Sequence, residues 1–149
     1  MSLENAPMAT LTNGRSIDLA AIPAFAHDVF EKAILSAVSE GQRVVALFGV
    51  PTERPAATSL YVVLAHDQVN RLNVARLEIE GLQYPSLTPR CPQVHLFERE
   101  LAEQFGIKPI GHPWLKPVRY HRSWTGHDAW NRSPQEPILP AVTEFYRVE

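Results

Sequence analysis

The segment LFERELAEQFGIKPIGHPWLK (residues 96–116) concentrates the side chains of this sequence that could do chemistry. Glu98 and Glu100 flank Arg99, and His112 follows in a Gly-His-Pro turn. Two carboxylates and a histidine could act as general acid and base, but successive residues on a helix point about 100° apart. The three charged residues therefore do not converge on one substrate atom without help from other segments. We assign no catalytic residue here and expect Arg99 to brace the helix by pairing with carboxylates or carbonyls of neighbouring loops.

Metal binding and nucleophilic chemistry are two further interpretations of this region. The zinc candidates are Cys91, His95, His112, His121 and His127. Cys91 and His95 share a helix-compatible spacing, but Pro92 intervenes and no paired CxxC or HxxxH motif occurs. A lone cysteine between Arg90 and Pro92 is more typical of an ordinary loop residue than of a nucleophile. We therefore expect neither a zinc site nor a nucleophilic cysteine among these residues.

Length, charge and cysteine content exclude several classes of protein. The 149 residues suit one domain with a real core, and 14 Lys and Arg against 16 Asp and Glu give a net charge of -2. Without a long basic run, nucleic acid is not an expected partner. A single cysteine excludes an internal disulfide, and the start of the sequence lacks a signal-peptide pattern, which indicates a cytoplasmic protein. No apolar run approaches about 20 residues, so we expect no direct membrane insertion.

The charged segment needs a helix to position it, and the sequence predicts one over residues 93–104. Pro92 suits its first turn, and Gly106 suits a left-handed residue at its end. One apolar stripe is formed by Val94, Phe97, Leu101 and Phe105. Each such side chain contributes about 1.5 to 3 kcal/mol when buried, against about 0.2 to 0.5 kcal/mol for an exposed charge pair. We therefore expect packing of the stripe, and not the charges, to hold this helix in place.

An earlier helix is predicted between Ile22 and Gly41, with Pro23 in its first turn. Its predicted stripe comprises Phe25, Val29, Leu35 and Val38, flanked by Phe30 and Ile34. The sequence MATL (residues 8–11) could pair as an edge strand. Thirteen prolines, concentrated in the second half of the chain, indicate an extended C-terminal arm.

Three strands are predicted between the two helices. Residues 43–50 and 59–65 are apolar at nearly every position, which indicates strands covered on both faces. A short hairpin connection leads into a third strand, RLNVARLEIEG (residues 71–81). In that strand the pair Leu77 and Ile79 is out of phase with Leu72 and Val74. Either a bulge near residues 75–76 restores one buried face, or the strand passes from one environment to another.

The charged segment closely resembles the signature of the 30 kDa subunit of respiratory complex I, the NADH:quinone oxidoreductase. The matching residues are Glu98, Arg99, Glu100, Glu103, Phe105, Gly106, Ile107, Gly111, His112, Pro113, Leu115 and Lys116. Upstream, LYVVLAHDQVNRLNVARLEIEGLQYPSLTP is similar to the family's strand, hairpin, strand and Pro-Ser-Leu segment. The resemblance covers about residues 60–121.

This resemblance implies an α+β fold with a small, mainly antiparallel sheet, helices packed on one face and an extended Pro-rich arm. We expect the domain to span residues 1–121 and the arm to span residues 122–149. The family implies no catalytic, cofactor-binding or metal-binding residue here, with Fe-S clusters, NiFe or quinone in partner subunits. It implies docking instead: Arg99 orders the loop at residues 111–113, and Trp114, Trp124 and Trp130 offer aromatic surface to a partner.

Four departures from the signature, Gln104, Pro109, Trp114 and Pro117, resemble variants in the N-terminal domain of formate hydrogenlyase and group 4 [NiFe]-hydrogenase large subunits. The expected partners are a large hydrogenase-like subunit or a fused C-terminal domain, and other peripheral-arm subunits. The chain would then lie in the cytoplasm, peripheral to the membrane through its complex. The alternative is an independent small enzyme using His112, Glu98, Glu100 and Cys91, or a ligand-binding module on an uncovered sheet face.

Overall fold

An antiparallel sheet organises the fold in the computed structural model, which describes residues 7–54, 57–119 and 126. The strands are β1 (Ala9–Thr12), β2 (Ala24–Phe25), β3 (Arg43–Pro51), β4 (Ala57–His66), β5 (Arg71–Glu80), β6 (Gln83–Pro85) and β7 (Lys108–Ile110), and the helices are α1 (His27–Ser39) and α2 (His95–Phe105). The main sheet has the order β1-β5-β4-β3, and β2 adds to β5 in parallel. The predicted α+β fold with a mainly antiparallel sheet is confirmed. So is the strand predicted near residues 8–11.

Strands β4 and β5 form the centre of the sheet and are joined by the short helical turn Asp67–Val69. β4 is buried on both faces, as predicted. The same expectation for β3 is wrong, because β3 lies at the edge and alternates between covered and exposed side chains. Leu47 is buried, whereas Phe48 and Val50 are 44% and 42% exposed on the opposite face.

The phase change in β5 reflects two environments and not a bulge. β5 pairs with β4 residue by residue from Glu80 to Arg71 without a register shift. Leu77 and Ile79 therefore face the main core, while Val74 joins Tyr61 and Ile22 in a smaller cluster on the other face. The bulge lies instead in β3, between Val44 and Ala46.

Both helices pack on the same face of the sheet and share one hydrophobic core. The first helix begins later than predicted, because Ala24 and Phe25 extend along Arg76 and Leu77 of β5 instead of entering a helical turn. Its predicted stripe is also displaced. The buried side chains are Phe30, Ile34 and Ala37, whereas Phe25, Leu35 and Val38 only flank the core.

Helix α2 begins after a short helical turn, Pro92–Val94, and ends at Gly106, whose φ of 68° is the predicted left-handed conformation. Its apolar stripe is confirmed, with Val94 and Leu101 fully buried and Phe97 and Phe105 packed against the core. The helix lies so close to β3 that a Cβ on Gly49 would come within 2.9 Å of the Phe105 ring. This close approach brings the C-terminal half of α2 onto the sheet.

A second, two-stranded sheet sets the path of the chain on either side of α2. β6 and β7 pair in parallel, and the backbone bonds Lys108 N to Leu82 O and Ser86 N to Ile110 O extend the pairing. The segment before α2 and the segment after it are thereby held side by side. In the described part of the chain, no helix is long and apolar enough to cross a membrane. The predicted boundary at residue 121 and the predicted arm, with Trp124 and Trp130, lie outside the described residues apart from Gly126.

Candidate functional site

Glu98 lies fully buried on α2 and binds the loop that precedes the helix. Its carboxylate accepts hydrogen bonds from the Ser86 hydroxyl at 2.6 Å, from the Leu87 amide at 2.8 Å, and from both the amide and the hydroxyl of Thr88. A buried carboxylate is tolerated when its oxygens are satisfied in this way. Four donors on three consecutive residues therefore fix residues 86–88 against the helix.

Arg99 and Glu103, one turn apart on α2, bind the backbone of residues 116–119, a segment called the strap below. Arg99 donates from Nε to the Lys116 carbonyl at 2.7 Å and from Nη2 to the Pro117 carbonyl at 3.0 Å. Glu103 accepts from the amides of Val118 and Arg119 at 2.7 and 2.8 Å. The helix thus supplies donors to two carbonyls and acceptors to the next two amides.

The burial of these charges corrects one expectation and refines another. Glu98, Arg99 and Glu103 are 0%, 8% and 5% exposed, so the charged side of α2 is buried along with its apolar stripe. The expectation that the charges of α2 are exposed is therefore wrong for these three residues. The predicted bonding of Arg99 to loop carbonyls is found, but these carbonyls belong to the strap and not to the implied loop at residues 111–113.

Glu100 is half-buried and pairs with Arg119 at 2.7 Å and with Gln104 at 3.2 Å. As predicted, Glu98, Arg99 and Glu100 do not converge on one atom: Glu98 binds residues 86–88, whereas Arg99 binds strap carbonyls and Glu100 pairs with the Arg119 side chain. His112 does not join the two carboxylates either, because its ring bonds to the His95 carbonyl. The described side chains therefore give no geometric support to the enzyme hypothesis based on Glu98, Glu100 and His112.

The Gly-His-Pro turn is fixed by the His112 ring. Gly111 turns the chain with a φ of 84°. His112 Nδ1 accepts from the Trp114 amide at 3.1 Å, so the proton lies on Nε2, which donates to the His95 carbonyl at 3.3 Å. Both ring nitrogens are thereby committed to the backbone. Pro113, which follows, is exposed.

Trp114 lies on top of this turn with 54% of its surface exposed. Its ring stacks on His95 at 6.2 Å and 13°, and His95 in turn stacks on His112 at 5.3 Å. The Arg99 guanidinium lies 4.9 Å from the ring centroid and the Lys116 ammonium 5.4 Å. Two cations and a stacked imidazole therefore contact the ring of a half-exposed tryptophan and favour this orientation. Leu96 and Leu115, the sequence neighbours of His95 and Trp114, are also exposed.

The zinc candidates do not assemble in the described part of the chain. Cys91 is a buried free thiol, and burial raises its pKa, which disfavours the thiolate that a nucleophile or a metal ligand needs. His95 and His112 form the stack under Trp114, while His121 and His127 lie outside the described residues. Among the described residues, no three His, Cys, Asp or Glu side chains come together in a way that could hold a metal ion.

Sequence reasoning identified the residues of this site but missed two of its partners. The strap could not be recognised, because Arg99 and Glu103 bind its backbone and backbone groups carry no sequence signal. The buried loop that binds Glu98 could be suspected only from Ser86 and Thr88, whose hydroxyls are frequent partners of a carboxylate. Arg99 and Glu103 also have the spacing of an ordinary ion pair on a helix surface. The sequence therefore gives no sign that each side chain binds the strap instead of the other.

Comparison with known proteins identifies a family and several relatives for the segment that contains this site. Residues 24–136, more than half of the chain, match the family described as the respiratory-chain NADH dehydrogenase 30 Kd subunit. The C/D subunit of the NADH-quinone oxidoreductase of Erwinia tasmaniensis is 32% identical over 98 residues, and that of Photorhabdus laumondii is 39% identical over 96 residues. These alignments cover 65% and 61% of this chain but only 15% of each relative. The chain thus spans a small part of the relatives that it matches.

Replacing Glu98 with Gln tests whether the buried carboxylate fixes the loop. Glu98→Gln leaves donors of residues 86–88 facing an NH2 group, so we expect the free energy of unfolding to fall by about 3 kcal/mol. The measurement is urea denaturation followed by circular dichroism. The matched control is Glu100→Gln, whose half-exposed ion pair is worth about 0 to 1 kcal/mol. Equal losses for the two variants would contradict the assigned role of Glu98.

Stability should fall at alkaline pH because two buried acids, Tyr84 and Cys91, ionise more easily in the unfolded chain. Burial, then the Glu98 charge, raises the pKa of Tyr84 well above 10.0, and burial raises the pKa of Cys91 above 9.0. The stabilisation that the two protonated groups contribute to the folded chain is fully present below these ordinary pKa values. It is lost as the pH rises through the folded-state values, by at most about 1.4 kcal/mol per pH unit for each group.

The measurement is the free energy of unfolding between pH 8 and pH 11. The double variant Tyr84→Phe/Cys91→Ala should lower stability at pH 8 but show a shallower alkaline decline than the parent. An alkaline decline of unchanged slope in the double variant would contradict the assignment to these two groups.

Proposed function

The chain belongs to the family of the respiratory-chain NADH dehydrogenase 30 Kd subunit, and from this premise we propose that it is a non-catalytic docking domain or subunit of an oxidoreductase complex. It supports assembly with a large subunit. The complex is either a complex I-like NADH dehydrogenase or a formate hydrogenlyase-type hydrogenase. In both cases the chain lies on the cytoplasmic side, peripheral to the membrane through its partners.

One observation carries this proposal: the charged residues of α2 are used to order the chain's own backbone. Glu98, Arg99 and Glu103 bind residues 86–88 and the strap, so they shape a surface and leave no convergent group for chemistry. On that surface Trp114 is half-exposed, and the Arg99 guanidinium and the His95 ring contact its indole. Rigid aromatic side chains of this kind are frequent at the centres of protein interfaces.

The length of the relatives supports a large partner. The two C/D proteins named above have this segment as only 15% of their length. In the proposed function the remaining part corresponds to a fused domain or to a separate large subunit that this chain contacts. Other peripheral-arm subunits are further proposed neighbours. The names of the relatives say nothing of a hydrogenase, so that variant of the proposal rests on the four signature departures alone.

The proposal also assigns no Fe-S cluster, NiFe centre or quinone to this chain. The supporting observation is that two carboxylates of α2 and the thiol that precedes this helix are already engaged or buried. Glu98 has four donors, Glu103 has two, and the thiol of Cys91 is buried with a raised pKa. Electron transfer would then belong to neighbouring subunits.

The test is an anaerobic affinity purification of the tagged natural full-length product from its own host, scored by partner identity and metal content. We expect recovery of a complex I-like or nickel-containing large subunit, joined covalently or not. Recovery of the protein alone and free of metal under gentle conditions would contradict the proposed function.

Arg99→Ala should then reduce recovery of the large subunit about tenfold, because truncating one side of a buried hydrogen-bonded charge releases the strap at a cost above about 1.4 kcal/mol. The matched control is Arg90→Ala, whose side chain is 56% exposed and pairs with Glu31 of α1 and not with the strap. Equal recovery with Arg99→Ala and Arg90→Ala, at matched soluble yield, would remove Arg99 from the assembly function.

A further inference from the structure

The group formed by His95, Arg99, His112, Trp114 and Lys116, called the Trp114 platform below, carries an inference beyond assembly in general. We propose that this platform binds an acidic segment of the large subunit, one that places a carboxylate beside an aromatic or aliphatic side chain. The inference rests on the proposed function, because it names the surface and the chemistry of the partner segment.

The first support is the rigidity of an exposed apolar surface. Trp114 is 54% exposed although its ring is fixed by the His95 stack and its amide by His112 Nδ1. Leu96 and Leu115, next to His95 and Trp114 in the sequence, are 55% and 37% exposed. A side chain that is already ordered loses little conformational entropy on binding. The platform is therefore preorganised for binding.

The second support is the charge around the ring. The two cations over Trp114 have no carboxylate partner among the described residues: Arg99 donates to two carbonyls, and the ammonium of Lys116 contacts the ring. Nearby carboxylates are committed elsewhere, with Glu98 on residues 86–88, Glu100 on Arg119 and Glu103 on the strap amides. The exposed Lys116 ammonium, with the buried Arg99 guanidinium beside the same ring, favours a segment that offers negative charge and apolar surface together.

Other anionic partners fit less well. The chain has a net charge of -2 and no long basic run, so the platform has no extended basic surface to track a phosphate backbone. An anionic lipid surface would likewise be attracted by clusters of several cations, whereas the platform offers two. A compact acidic and apolar protein segment is the partner that its size and charge favour.

The test measures the dissociation constant of the full chain for its large subunit at two salt concentrations, with single variants of the platform and of two control positions. Trp114→Ala should raise the dissociation constant at least about tenfold, whereas Trp114→Phe should raise it less because a ring remains. Lys116→Glu should also raise it and should weaken its dependence on salt. The matched controls are Phe48→Ala, which removes an exposed aromatic ring on the opposite face of the sheet, and Lys32→Glu, which reverses an exposed charge on α1. Both control variants should bind the large subunit as tightly as the parent does.

Zero-length carbodiimide cross-linking of the complex identifies the partner group directly. We expect Lys116 to be joined to an Asp or Glu of the large subunit, and the cross-link to be lost with Trp114→Ala. The inference is overturned if the parent binds the large subunit but Trp114→Ala and Lys116→Glu bind equally well. It is also overturned if platform-dependent binding occurs only to vesicles of anionic lipid.

Failure of the proposed function gives a different result. In that case the unaltered chain itself shows no binding to the large subunit, and the inference about the platform falls with it. Binding by the parent that depends on Phe48 or Lys32, and not on the platform, would retain the docking function, move the interface to another surface and overturn the inference.

Discussion

The structure depends on the hydrogen bonds that satisfy the charged side chains buried along helix α2. Glu98, Arg99 and Glu103 lie in α2 with little or no contact with solvent, and unpaired buried charges cost several kcal/mol each. Here they are satisfied mainly by backbone groups of two loops. Because the compensation comes from loops, the same bonds that make the burial tolerable also fix residues 86–88 and the strap. The helix therefore orders the surface around it, and the second sheet, which holds the flanking segments together, supports that arrangement.

The fold was largely accessible from the sequence, since β4, β5 and the apolar stripe of α2 follow directly from hydrophobic periodicity. Hydrophobic periodicity gave wrong predictions where strand pairing or position in the sheet determines the structure of a segment. The segment around Ala24 and Phe25 has a helical pattern but pairs with β5, and β3 has a buried pattern but lies at an edge where Phe48 and Val50 are exposed. The order of the strands in the sheet determines both outcomes, and a local sequence pattern carries no information on strand order.

The candidate site was predictable as a set of residues but not as a geometry. The signature identified Glu98, Arg99 and the histidine turn, and helical geometry separated the charged side chains correctly. The bonds from Arg99 and Glu103 to backbone groups of the strap could not be inferred, because any sequence provides carbonyls and amides. The same limit explains why the family resemblance implied that Arg99 orders residues 111–113 and gave no indication of the strap. In the described part of the chain, the buried charged residues of α2 order backbone segments of the domain itself.

Hydrogen–deuterium exchange of Glu103→Gln tests the central claim most directly, because this change removes the charged acceptor of the strap and leaves the apolar stripe of α2 intact. The account predicts that the amides of Val118 and Arg119, protected in the parent chain, exchange at least about tenfold faster in the variant, a loss of about 1.4 kcal/mol or more of protection. The amides of α2 should stay protected in both chains. Strap amides that exchange at the same rate in the variant and the parent would contradict the claim that buried charges of α2 order this surface.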